Sequence, residues 1–159
     1  LKWEKTYGDN GENGFNMIKR SKDNNFIAVG YSESFFSKGM KDVLMVKIDS
    51  LGNKMWMNLY GGKSDDIANS VFECKDSGFA IAGETTSFGS GKNDILILKT
   101  NSNGVQKWKS TIGGKGVDIG RSIEELPKGG FILSGTSTIS NLSFDSILIK
   151  TDKKGKTSN

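Results

Sequence analysis

The sequence predicts an all-β fold made of three copies of one antiparallel sheet, and three observations support this. Seven columns of residues recur at intervals of 51 to 53 residues, among them the tryptophans Trp3, Trp56 and Trp108. Each copy contains short runs of strand-like composition, separated by clusters of glycine, asparagine, aspartate and serine. No stretch keeps apolar residues at helical spacing for three turns, so helices should be scarce.

The repeat divides the chain into three units, placed approximately at residues 9–60, 61–112 and 113–159, with residues 1–8 left over as a closing strand. Besides tryptophan, the recurring residues are three glycines, a phenylalanine, an aspartate and a lysine. In order along the repeat they are Gly8, Gly61 and Gly113; Phe26, Phe79 and Phe131; Gly30, Gly83 and Gly135; Asp42, Asp94 and Asp145; Lys47, Lys99 and Lys150; and Gly52, Gly104 and Gly155.

The middle copy shows the strand pattern within one repeat. Strands are predicted at residues 68–75, 79–86, 94–100 and 105–113. Asp or Asn followed three residues later by Gly, at 49–52, 101–104 and 152–155, predicts a hairpin turn after each third strand. The third strands (DVLMVKI, DILILKT and DSILIKT) are almost continuously apolar, which is typical of strands covered on both faces. We therefore expect the sheets to stack, with a tryptophan covering each join.

Composition excludes several classes of function. The chain has 159 residues, enough for one domain with a core, and a formal net charge of +4 carried almost entirely by lysines spread along it. This distribution indicates a solvated surface and no nucleic-acid partner. With no histidine and Cys74 as the sole cysteine, histidine-dependent triads, histidine-bound metals and an internal disulfide are excluded. No apolar run is long enough for a membrane span. The opening LKWEKTYG lacks a secretory leader, which we interpret as a mature form or an excised piece.

Four antiparallel strands per repeat of about 50 residues are typical of the blades of a β-propeller. The chain resembles a bacterial and archaeal surface β-propeller repeat of the pattern W-x-K-T-Y-G-G…D-x-A-x-S…D-G-G-F-x-x-x-G-x-T-x-S…D-x-L-L-x-K-x-D-x-x-G. The matching segments are WMNLYGG (56–62), DIANS (66–70), DSGFAIAGETTS (76–87) and DILILKTNSNG (94–104). The first copy departs from the pattern at Asn13, and the third at ISNLSF (139–144). The resemblance implies an extracellular or cell-surface protein.

The third copy ends after its third strand, whereas residues 1–8 resemble an isolated fourth strand that carries Trp3. Propellers commonly let one terminus complete the blade begun by the other, which removes open sheet edges. Three blades are too few for a ring, since propellers use about four to eight. The chain is therefore either part of a longer propeller, or one half of a six-bladed homodimer formed by strand exchange, or an open monomer.

Ligand-binding candidates lie in the loops expected on one face of the blades. We expect that face to present Glu12 and Asn13, residues 63–66 and 115–118, and residues 34–37, 87–90 and 140–141. The candidates are Asp65, Asp66, Asp118, Phe35, Phe36 and Phe88. The carboxylates with loop carbonyls would suit Ca²⁺, although no D-x-D-x-D-G loop is present, and capping of turns is the favoured role of Asp66 and Asp118. The phenylalanines would stack on a sugar or on a partner side chain, or pack over the loop base.

The aspartates Asp42, Asp94 and Asp145 recur before every third strand and are interpreted as structural. An active site needs one asymmetric set of groups with differently tuned pKa values, not one identical group per blade. The sequence thus favours a non-catalytic scaffold or recognition module that binds a protein or other ligand through its loop face and holds no cofactor. The alternative is a glycan-binding or calcium-assisted propeller. A quinoprotein-like or carboxylate-based enzyme is less favoured.

Overall fold

The computed structural model describes residues 2–8, 10–33, 40–140 and 143–157, and within them the chain is all-β with no helix. Sheet 1 contains β1 (Asn13–Arg20), β2 (Phe26–Ser32), β3 (Asp42–Ile48) and β4 (Lys54–Tyr60). Sheet 2 contains β5 (Asp66–Glu73), β6 (Phe79–Thr85), β7 (Asp94–Thr100) and β8 (Gln106–Ile112). Sheet 3 contains β9 (Asp118–Glu125), β10 (Phe131–Ser140) and β11 (Ser143–Lys150).

Each sheet is an antiparallel meander in which every strand pairs with the one before it. Sheets 1 and 2 have four strands, and sheet 3 has three in the order β11-β10-β9. Within the described residues, nothing pairs with the outer edge of β11. The predicted all-β repeat is confirmed, although β5 begins two residues earlier than predicted because Asp66 both closes the preceding turn and starts the strand.

The predicted hairpin turns are confirmed in their details. The carboxylate of Asp49 accepts hydrogen bonds from the backbone N–H groups of Leu51 and Asn53, each at 2.8 Å. Gly52 has φ of 74°, a left-handed conformation that glycine adopts without steric strain. The turns at 101–104 and 152–155 repeat this arrangement, with Asn and Asp as acceptors. The same short motif therefore builds the same turn three times.

The sheets stack face to face, and the middle sheet contributes to two cores. Leu96 and Leu98 of β7 pack against sheet 1, whereas Ile95 and Ile97 pack against sheet 3. All four side chains are buried because the alternating faces of β7 are both covered. This explains the continuous apolar run predicted to lie between sheets.

The tryptophans of β4 and β8 seal the joins between sheets, as predicted. The Trp56 ring contacts Gly104 of the next sheet and meets Phe79 edge-on at 6.1 Å. Trp108 makes the equivalent contacts with Gly155 and with Phe131, at 5.8 Å. A glycine at the turn leaves room for the ring. The repeated tryptophans and the repeated turn glycines therefore depend on each other.

Residues 2–8 dock on sheet 1 in the same way but do not form a strand in this chain. Trp3 contacts Gly52, and the Tyr7 hydroxyl donates to the Gly52 carbonyl oxygen at 2.7 Å, as the Tyr60 hydroxyl donates to Gly104. The predicted strand is absent because none of the described strands lies beside this segment to share backbone hydrogen bonds. The side chains of residues 2–8 are placed like those of β4 and β8, but this segment lacks the backbone hydrogen bonds of a strand.

Candidate functional site

The loops predicted to bind ligand gather on one side of the stacked sheets, the loop face, defined here by residues 61–65, 86–93 and 113–117. Backbone hydrogen bonds connect these loops between sheets: the N–H of Asp66 donates to the carbonyl of Lys41 at 2.6 Å, and that of Asp118 donates to the carbonyl of Asn93 at 2.9 Å. The hairpin turns lie on the opposite side, the turn face. The loop face is therefore a continuous surface across the sheets.

Asp66 is fully buried and closes the loop before β5. One carboxylate oxygen, Oδ2, accepts hydrogen bonds from the Gly62 N–H at 2.8 Å and from the Ser87 hydroxyl at 2.7 Å. The other oxygen, Oδ1, is buried and has no hydrogen-bond partner among the described residues. These contacts match the turn-capping role predicted for this residue, whereas its ligand-binding role stays a prediction.

Asp118 repeats the bond from the loop glycine one sheet further along, but its serine partner donates to the other carboxylate oxygen. Its Oδ2 accepts a hydrogen bond from the Gly114 N–H at 2.8 Å, and its Oδ1 accepts one from the Ser137 hydroxyl. Asp66 and Asp118 thus each close a turn of their own sheet. They perform the same structural task twice.

Asp65 and Phe88 are the half-buried candidates of the loop face. Asp65 accepts a hydrogen bond from the Lys41 N–H at 3.1 Å, which links sheet 1 to sheet 2. The Phe88 ring packs over Gly62, and the Lys109 ammonium lies 3.0 Å from its centroid. This cation–π contact leaves part of the ring at the surface. The candidates Phe35 and Phe36 lie outside the described residues.

Two of the recurring aspartates, Asp42 and Asp94, are buried where two sheets meet, whereas Asp145 is exposed. Asp42 and Asp66 flank Gly61, and the pair Asp94 and Asp118 flanks Gly113 in the same way. Asp94 accepts hydrogen bonds from two backbone N–H groups of its own loop, at Ser90 and Gly91. In the described part of the chain, no group of three or more acidic, histidine or cysteine side chains is placed to hold a metal ion. Asp42 and Asp94 thus help to hold neighbouring sheets together, which agrees with the structural role predicted from their recurrence.

The single cysteine is unsuited to nucleophilic chemistry. Cys74 is fully buried directly after β5, and burial raises the pKa of its thiol to about 11. The thiol is therefore neutral near pH 7, whereas a nucleophilic cysteine needs the thiolate.

Sequence reasoning missed a charged groove on the turn face, between sheets 2 and 3. It is lined in part by Lys75, Asp76, Lys99, Lys107, Trp108 and Glu125. The Lys99 and Lys107 ammonium groups donate to Asp76 at 2.9 and 3.0 Å. Burial acts to raise the pKa of Asp76, but these bonds and the Gly78 N–H outweigh it and hold that pKa below its usual range. The sequence does contain a sign of these ion pairs, because the spacing from Asp23 to Lys47 is nearly the same as that from Asp76 to Lys99.

The equivalent pair in sheet 1 predicts a pH dependence of stability. Hydrogen bonds from the Lys47 ammonium and the Ser21 hydroxyl, both at 2.6 Å, hold the pKa of Asp23 below its ordinary value near 3.9. A carboxyl with a depressed folded-state pKa stabilises the fold above its unfolded pKa and loses this contribution as pH falls through the folded one. We therefore expect the urea midpoint of unfolding to fall below about pH 4.

The control for this prediction is Asp23→Asn, with unfolding followed by circular dichroism from pH 7 to pH 2. The variant should be less stable than the wild type at pH 7, and the difference should shrink towards pH 2. A constant difference across this range would contradict the assignment.

A scan against protein-family models finds no match for this chain, and a search of curated proteins finds no significant relative. The described residues contain no helix long and apolar enough to cross a membrane. What the chain does is therefore inferred from its own repeat, contacts and charges.

Proposed function

We propose that the three sheets are blades of a β-propeller and that the chain is a non-catalytic recognition module, located outside the cell or on its surface. The repetition of the same contacts from sheet to sheet carries this proposal. On the first strands, the Asn16 amide donates to the Ala68 carbonyl at 2.9 Å, and the Asn69 amide donates to the Gly120 carbonyl at 3.0 Å. On the outer strands, each tryptophan contacts the next turn glycine.

Repeated contacts at both the inner and the outer strands support a constant rotation from one sheet to the next. Such head-to-tail contacts generate a ring when the rotation closes. Propellers are rings of four-stranded sheets of this kind. The likeness of the repeat to surface propeller repeats supports the same architecture and is the basis for the extracellular or cell-surface location.

The proposal of a non-catalytic role rests on what the acidic side chains do. Asp66 and Asp118 each accept the same turn hydrogen bond from a glycine N–H in two blades, and Asp42 and Asp94 occupy equivalent buried positions. Acid–base catalysis requires groups whose environments push their pKa values apart. Equivalent groups in equivalent environments serve a repeated scaffold better than a reaction.

The loop face is the proposed binding surface, because loops held by a rigid scaffold are the usual site of recognition. Asp65, half-buried, and Phe88, under the Lys109 ammonium, combine a polar and an aromatic group there. Aromatic rings with a polar neighbour suit either a protein side chain or a sugar ring.

The test is binding of the chain to a glycan array and to a panel of secreted proteins, using wild type and a variant with Asp65→Ala and Phe88→Ala. The matched control is Leu51→Ala, an exposed side chain on the turn face. We expect a ligand whose binding is lost in the loop-face variant and kept in the control. Absence of any ligand, or loss only in the control, would contradict the proposal.

A calcium-assisted version is favoured by one observation: the buried Asp66 Oδ1 has no hydrogen-bond partner in the part of the chain that the structure describes. Ca²⁺ takes six to eight oxygens, so backbone carbonyls would have to supply most of its ligands. A higher melting temperature in millimolar Ca²⁺ than in chelator, lost in Asp66→Asn, would support this version. Equal melting temperatures would reject it.

A further inference from the structure

The outer edge of β11 differs from its counterparts in the other two sheets. Leu148 is 77% exposed, whereas the residues at the same repeat position, Met45 and Ile97, are 0% exposed. The difference arises because a following sheet covers this face of β3 and of β7, whereas none of the described sheets covers it at β11. Among the described strands, β11 also lacks a fourth strand at its outer edge. β11 carries Ser146 where β3 and β7 have Val43 and Ile95, so it is less apolar than its counterparts. Leu148 is nevertheless an apolar side chain at a position that is buried in both of them.

Other positions along β11 show the same change. Asp145 and Lys150 are exposed, while their counterparts in sheets 1 and 2 are buried. The apolar C-terminal end face, formed by Ile132 and Leu148, is therefore uncovered. It corresponds to the faces that sheets 1 and 2 turn towards the following sheet.

At the opposite end of the stack, Leu44, Val46 and Ile48 of β3 are buried with Tyr7 packed against them, but β1 is uncovered. Ile18 of β1 is 58% exposed, whereas its counterparts Val71 and Ile123 are buried. Phe15, on the same strand, is also exposed. The two residues form the N-terminal end face. An apolar face thus stands open at each end of the three-sheet stack.

Residues 2–8 have the sequence and the side-chain contacts of a fourth strand but none of its ladder. Trp3 and Tyr7 contact the Gly52 turn as Trp56 and Tyr60 contact the Gly104 turn. Their backbone pairs with no described strand. The described residues therefore include one strand-like segment without a ladder, against sheet 1, and one sheet edge without a paired strand, in sheet 3. Sheet 2 lies between them.

We propose that residues 2–8 of one chain pair with β11 of a second copy, so that two chains close a six-bladed ring. This rests on the propeller architecture proposed above and names the chain's partner as itself. One copy's C-terminal end face then covers the other's N-terminal end face, twice in the ring. Six blades lie within the range of about four to eight that closed propellers use. Closure removes both open edges and both apolar faces.

The register follows from the two complete sheets. Met45 lies opposite Asn58 in sheet 1, and Ile97 lies opposite Ser110 in sheet 2. The same repeat positions place Leu148 opposite the partner's Lys5. Antiparallel neighbours directly opposite each other share one face of a sheet.

The register also accounts for Asn13, which breaks the repeat pattern. In the complete junctions, Asp42 and Asp66 flank Gly61, so two carboxylates meet. In the exchanged junction, Asp145 of one copy lies beside Gly8 and Asn13 of the other. The Asn13 side chain already contacts Gly8 within its own chain. An amide can donate to the incoming carboxylate, where a second acid would repel it.

The first test is the solution mass by light scattering over a concentration series. We expect twice the 17.3 kDa mass of one chain for the wild type and one chain mass for Leu148→Glu. Leu148 is exposed in the single chain, so the charge should leave each chain folded. Leu51→Glu, at an exposed turn position, is the matched control and should remain a dimer. A monomeric wild type, or a dimer indifferent to Leu148→Glu, would overturn the proposal.

The second test fixes the register. Chains carrying Leu148→Cys are mixed with chains carrying Lys5→Cys under mild oxidation, and the expected product is a disulfide-linked pair. Glu4→Cys replaces Lys5→Cys in the control, because neighbouring residues point to opposite faces of a strand. Equal cross-linking in both mixtures, or in neither, would overturn strand exchange. The ligand test of the proposed function is independent of both results.

Discussion

Replacing Gly83 by alanine is expected to destabilise the chain by about 3 kcal/mol, because the new methyl group has no space. Gly83 lies opposite a bulge in β5, where the strand register shifts between Ala68 and Ser70. A Cβ atom at this position would overlap the carbonyl oxygen of Ile67. That atom belongs to the backbone, so it can move only by distorting the sheet.

The matched control is Gly114→Ala, since a Cβ atom there would meet nothing within 4 Å. Its expected effect is within about 0.5 kcal/mol of zero. Urea unfolding followed by circular dichroism gives both free energies. Equal stability of the two variants would show that the glycine column has no steric role.

Replacing Phe79 by alanine is expected to destabilise the chain by about 3–5 kcal/mol, from lost burial and the cavity left behind. Phe79 is 0% exposed and belongs to the core between sheets 1 and 2. Its ring meets Trp56 edge-on, and the Lys47 ammonium lies 5.8 Å from its centroid. The substitution therefore weakens the contact between the sheets as well as the core.

Met55→Ala, at an exposed position on β4, is the control and should change the free energy of unfolding by less than about 1 kcal/mol. Tryptophan fluorescence and circular dichroism should report one transition for each variant. A loss below about 1 kcal/mol for Phe79→Ala would contradict its place in the core.

The sequence predicted the repeated sheet because local chemistry determines much of it. The Asp49 to Gly52 turn depends on residues within five positions of each other, and its contacts were predicted correctly. The bulge opposite Gly83 was not predicted, although the glycine column was noted. Its position depends on the register of two strands, which a single strand's sequence does not reveal.

The candidate site was predictable to the same extent. The turn bonds of Asp66 and Asp118 follow from neighbours in the chain and were expected. The Lys109 ammonium over Phe88 and the groove around Asp76 were not, because they join residues brought together by sheet packing. The identity of a ligand depends on such long-range surfaces, so it remained open at the sequence level.

The open edge of β11 could be predicted only in part. The repeat showed that the third copy stops after its third strand and that the Trp3 segment resembles a fourth strand. The exposure of Leu148 in place of a buried core residue required the structure, because burial depends on the neighbouring sheet. Leu148 is exposed whereas Met45 and Ile97, at the same repeat position in the other two sheets, are buried.

The most direct measurement is backbone amide hydrogen exchange along β11 and residues 2–8, read by NMR at high and low protein concentration. β7, paired on both edges, serves as the internal standard. Strand exchange predicts slow exchange at the outward-facing amides of β11 when the chain is concentrated, and fast exchange on dilution or in Leu148→Glu. Fast exchange at these amides at every concentration, with β7 protected throughout, would contradict the account.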